Sequence, residues 1–150
     1  MADVFISYHE NANTENIVRR IAEKLEESGI SCWYAGRDSL PGFYAKDIGQ
    51  EIQSCKVFLL ILNEEANQSR DVLSEVSFAF NHDVTILPFR VDDCALDDDL
   101  LYYLAVFTVA NGNPPNAQNI GDLTKRIRNL LARTAPKAKA QTETKRLSGF

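Results

Sequence analysis

A chain of 150 residues, 45% hydrophobic and 25% charged, has the composition of an ordinary globular domain and the length for one core. No apolar run is long enough to span a membrane, and the N-terminus lacks the basic and apolar regions of a secretory signal. The cysteines are odd in number (Cys32, Cys55 and Cys94), and neither Cys32 nor Cys55 lies at metal-ligand spacing from another Cys or His, so a reducing, cytoplasmic compartment is expected.

The net charge is −5, but the last sixteen residues carry Lys137, Lys139, Lys145 and Arg146 against Glu143, which leaves −8 on the part that precedes them. Binding to nucleic acid through accumulated Lys and Arg is therefore not expected of the body.

In chain order, Asp3 to Tyr8 is a short apolar strand, followed by the polar loop His9 to Asn13. Ile17, Ile21 and Leu25 recur at helical spacing, widened by Val18 and Ala22, and Ser28-Gly29 ends that helix. Ile30 to Tyr34 reads as a second strand, and Ala35 to Gly42 as a loop turned by Pro41-Gly42. Tyr44, Ile48, Ile52 and Cys55 mark a short helix. Val57 to Leu62 is a six-residue run without polar alternation, as expected of a central parallel strand covered on both faces.

Asn63, Glu64, Asn67 and Ser69 supply turn and cap chemistry, and Val72, Val76, Ala79 and Phe80 then form the apolar stripe of another helix. Val84 to Arg90 is a fourth strand, followed by an acidic loop that runs to Asp97-Asp98-Asp99. Leu101 to Leu104 is a brief helical turn, Val106 to Val109 a fifth strand, and Ile120 to Ala132 a final amphipathic helix. The expected domain covers residues 1–134, and residues 135–150 form a basic linker or disordered tail, with room for a further domain beyond residue 150.

Strands and helices that alternate in this way predict an α/β fold of flavodoxin-like type, with a five-stranded parallel sheet of order 2-1-3-4-5 and helices on both faces. In such a sheet, ligands bind outside the carboxyl ends of the strands, and Glu75 begins the second turn of a helix that starts there. On geometry alone this acid is either a ligand-facing group or a solvated helix glutamate. The scattered glycines form neither GxGxxG nor a Walker motif, His9 and His82 are too few for a histidine metal cluster, and no GxSxG elbow is present. Phosphoacceptor chemistry of the receiver type is disfavoured as well, because Ser7-Tyr8-His9 and Leu62-Asn63 stand where the acids would be.

Four linked stretches resemble the bacterial Toll/interleukin-1 receptor (TIR) domain family over roughly residues 3 to 133. They are Val4 to Tyr8, Cys32-Trp33 through Arg37-Asp38-Ser39-Leu40-Pro41-Gly42, Cys55 to Leu62, and Ser69-x-x-Val72-x-x-Glu75. The resemblance implies an NAD+ nucleosidase that cleaves the bond between nicotinamide and ribose, giving ADP-ribose or a cyclic isomer in bacterial defence or virulence signalling. Glu75 matches the family's catalytic residue.

Ser7, Tyr8 and His9 match the first loop of the family's nucleotide pocket, and Arg37 and Asp38 its covering loop. Tyr44 and Ser69 complete the expected substrate contacts, with helix capping the plainer role for Ser69, and Trp33 is expected in core packing or in a loop wall. NAD is substrate, and neither a metal nor a resident cofactor is implied. The other expected partners are further TIR domains, met through residues Arg37, Asp38, Ser39, Leu40, Pro41 and Gly42. The alternative is a non-catalytic module that acts by TIR–TIR assembly alone. Two positions depart from the NAD-cleaving relatives: Asp71 stands where some carry tryptophan, and Val109-Ala110-Asn111 replaces an aromatic-acid ending.

Overall fold

The computed structural model describes residues 1–42 and 45–148, with side chains as far as residue 133. Five strands form one parallel sheet of order β2-β1-β3-β4-β5: β1 (Val4–Ser7), β2 (Cys32–Trp33), β3 (Val57–Leu62), β4 (Thr85–Arg90) and β5 (Ala110–Asn111). β3 is the central strand. It pairs along its length with β4 and, from Val57 to Leu60, with β1, and all six of its side chains are buried.

Alternate residues of a strand face opposite ways, so β3 serves two cores. Val57, Leu59 and Ile61 join Val4 and Ile6 of β1 against α1 (Ala12–Glu27) and α7 (Ala117–Ser148). Phe58, Leu60 and Leu62 join Phe5 against α3 (Ala45–Ser54), α5 (Arg70–Asn81) and α6 (Asp98–Leu104). Two single-turn helices, α2 (Ala35–Asp38) and α4 (Glu64–Asn67), complete the chain. The three cysteines are buried free thiols, and burial pushes Cys32 and Cys55 up to about 12.

The end of α1 follows from local chemistry. Gly29 at φ +82° lets its own N–H reach Glu26 O and the N–H of Ile30 reach Leu25 O, while the Ile30 side chain packs in the same core as Leu25. The second strand is shorter than the expected Ile30 to Tyr34, because Ile30 closes this motif and Tyr34 stands at the N-cap of α2.

The fifth strand needs a larger correction. Val106 to Val109 does not join the sheet: Val106 is 75% and Val109 39% exposed, and Phe107 N–H bonds back to Leu104 O at the end of α6. Pairing falls on Ala110–Asn111 beside Phe89–Arg90, so the sheet's own register overrides local β-propensity. The final helix is longer than the expected Ile120 to Ala132. Among the described residues no helix is long and apolar enough to cross a membrane.

Candidate active site

β1 stands between β2 and β3, so the chain leaves it toward one side of the sheet and returns on the other. The carboxyl ends of these strands open a crevice at that switch. A cleft of about 690 Å³ occupies it, walled by the loop after β1, the start of α2, one face of α3 and one face of α5. Gly49 allows α3 to approach α5 closely, since a Cβ there would lie 3.0 Å from Phe78 Cζ.

Two successive caps lead from β3 into α5, the first on α4 and the second on α5 itself. Asn63, just after β3, accepts from Ala66 N–H at 2.9 Å and donates to Thr14 Oγ1 of α1 at 3.1 Å. Ser69 then accepts from Val72 N–H at 3.2 Å, satisfying a free donor in the first turn of α5. One turn further on, Glu75 meets the end of β1, where the Ser7 hydroxyl donates to Glu75 Oε1 at 2.8 Å.

Ser7 is fully buried and Glu75 half-buried. Burial pushes the Glu75 carboxyl from 4.5 up to about 7, the Ser7 hydrogen bond opposes this, and the negative charges of Asp71 and Glu10 add to it. Glu75 thus sits at the balance point between acid and carboxylate near neutral pH, a common property of groups that do chemistry.

Tyr8 and His9 line the cleft beside Glu75. Tyr8 Oη accepts from Gly36 N–H at 3.1 Å, and burial raises this phenol to about 12, so it remains neutral. Ser69 reaches the cleft as well as capping α5, and Ser39 represents the expected interaction loop there. Trp33 both packs and forms wall: it stacks on Phe5 at 5.0 Å and faces the cleft.

Arg37 and Asp38 are not brought to the cleft. The Arg37 guanidinium donates to Asp38 Oδ1 at 3.0 Å, Glu26 Oε1 at 2.9 Å and Cys32 O at 2.8 Å, and lies 4.8 Å from the Tyr34 ring centre. Asp38 in turn accepts from Tyr34 N–H. The planar fork expected for a diphosphate is thus used within the fold. Tyr44 lies outside the described residues.

Sequence reasoning did not assign Glu10, Ser74 and Phe78 to the site, nor Asp71 a place in its wall, yet all four line it. Asp71 and Phe78 share a helix face with Glu75 at i−4 and i+3, and that spacing was the available signal. Among the described residues no three His, Cys, Asp or Glu side chains are grouped to hold a metal ion.

A doubly wound sheet with an acid at its switch point defines a class of α/β domain, and comparison narrows it. The TIR domain family model matches residues 4–123, and the chain belongs to that family. A search of curated proteins finds no match.

Among solved structures, the chain is similar to the TIR domain of the Toll-related receptor TRR-2 from Hydra magnipapillata, at 20% identity and a TM-score of 0.69, covering 85% of this chain and 99% of that one. It is also similar to a metazoan TIR-STING receptor from C. gigas in complex with 2′,3′-cGAMP, at 26% identity and a TM-score of 0.70, covering 85% of this chain and 39% of that one. A third similarity, at 17% identity and a TM-score of 0.58, is to the Clostridium botulinum CMP N-glycosidase BcmB, covering 80% of this chain and 96% of that one.

Proposed function

We propose that this TIR domain is an NAD+ nucleosidase, with Glu75 as the residue that acts on the ribose. The observation that carries the reading is the Ser7–Glu75 hydrogen bond of 2.8 Å at a cleft on the carboxyl edge of the sheet. The family's NAD-cleaving members supply the substrate class. The fold's capacity for N-glycosidic chemistry is consistent with the C. botulinum CMP N-glycosidase.

In this mechanism the C1′–N1 bond breaks with both electrons passing to the ring nitrogen, so nicotinamide departs neutral and needs no strong general acid. Positive charge develops on the ribosyl C1′ and ring oxygen. Ser7 holds one oxygen of Glu75 and leaves the other to accept from a ribose hydroxyl and to stabilise that charge. Water then bonds to C1′ and releases one proton, giving ADP-ribose; capture by an atom of the substrate itself gives a cyclic isomer. An immune-signalling role fits a reaction that both consumes NAD and makes a diffusible product.

Nicotinamide release is measured at high protein concentration or on a clustering surface, with assembly followed by light scattering. Wild type is expected to release nicotinamide, and Glu75→Gln to do so at least about a hundredfold more slowly with assembly intact. Assembled wild-type protein that leaves NAD untouched overturns the reading. It supports the second one, a TIR–TIR interaction module, which the 68% exposure of Leu40 beside the exposed Pro41 at the loop tip favours.

A further inference from the structure

Resting on the nucleosidase reading, we propose that Glu10 and Asp71 are specificity-determining residues that make the cleft select the cationic pyridinium end of its substrate over neutral bases and over phosphate. The charges lining the cleft are one-sided. Glu10, Asp71 and Glu75 contribute carboxylates and His9 an imidazole, and no Lys or Arg lines it among the described residues.

Glu10 comes from the loop after β1 and Asp71 from the first turn of α5, so the two acids reach the cleft from separate elements. Both are exposed, and neither takes part in an ion pair among the described residues, so their charge is not neutralised within the fold. Both are close enough to act on the Glu75 carboxyl as negative charges, and a cation beside Glu75 feels the same field with the opposite sign. The lining also includes Trp33 and Phe78, aromatic side chains that bring no positive charge to the cleft.

NAD carries its positive charge on the pyridinium and its negative charges on the diphosphate. In this cleft the pyridinium riboside enters and the diphosphate is turned toward the mouth. As the glycosidic bond breaks, the positive charge moves from the ring nitrogen to the ribosyl carbon and so remains in the field of the same acids. The departing nicotinamide is neutral, loses this attraction and leaves readily. A neutral nucleoside enters without this attraction, because it carries no positive charge until its glycosidic bond breaks.

The probe is 1-methylnicotinamide, a cation with no glycosidic bond, compared with neutral nicotinamide by titration at low ionic strength. Wild type is expected to bind the cation about tenfold more tightly. Asp71→Asn and Glu10→Gln are each expected to lose about threefold of that preference, and the double variant nearly all of it, with nicotinamide affinity unchanged. High salt is expected to weaken the cation's binding alone.

Equal affinity for the two probes, or a preference that survives in the double variant, overturns the proposal. NAD turnover is followed on the same preparations. Turnover without cation preference refutes this inference alone, and cation preference in an assembled protein that never releases nicotinamide refutes the nucleosidase reading alone.

Discussion

Replacing Glu75 with Gln tests whether the fold holds this carboxyl in a place that opposes its charge. The wild-type carboxyl titrates near 7 in the folded protein against 4.5 when unperturbed, because burial outweighs the Ser7 hydrogen bond. Below about pH 4.5 both folded and unfolded chains hold the proton, and Glu75 contributes no difference between them. Between 4.5 and 7 the folded state keeps the proton that the unfolded state has lost, so stability falls as pH rises, and above 7 the loss is complete.

A displacement from 4.5 to about 7 corresponds to about 3 kcal/mol. Gln is neutral throughout and still offers an oxygen to the Ser7 hydroxyl. Glu75→Gln is therefore expected to match wild type near pH 4.5 and to exceed it by up to about 3 kcal/mol at pH 8.5, a rise in Tm of roughly 6–12 °C. Urea unfolding of the two proteins at both pH values measures the difference, and titrating groups remote from Glu75 cancel between them. A variant that is less stable at pH 8.5, or equally displaced at both, would refute the reasoning.

Ser7→Ala removes the contact that favours the ionised form, so the Glu75 titration is expected to move further up, read by carbon-detected NMR of the carboxyl and by the rising limb of kcat/KM against pH. An unchanged titration would mean that Ser7 does not support the carboxylate. Asn63→Ala deletes the α4 cap and strands the buried Thr14 hydroxyl, an expected loss of about 2–3 kcal/mol in chemical denaturation. A loss under about 0.5 kcal/mol would show that the junction between α1 and the loop after β3 is held by other contacts.

Much of this architecture is legible in the chain itself. β3 was predicted with its observed bounds, because a six-residue apolar run between polar caps has few other uses. The end of α1 is readable for a local reason too: Gly29 alone in its neighbourhood takes a positive φ without strain. Glu75 stood out through its place after that strand and through the family pattern around it. The fifth strand was misread because Val106 to Val109 has strand-forming residues but no free sheet edge in register, whereas Ala110–Asn111 has one.

Local pattern therefore determines most of the elements and the helix that carries Glu75, since each depends on residues within a few positions of one another. The alternation of strands and helices points to a parallel sheet through the handedness of its crossovers. Tertiary structure alone decides the site. The Ser7–Glu75 bond joins residues 68 positions apart, and the elevated carboxyl titration depends on burial that exists only in the folded chain. The same holds for Arg37, whose type suits a diphosphate. Folding places its guanidinium between Glu26, Asp38 and Cys32 O, outside the cleft, because charged donors bond to the nearest available acceptors.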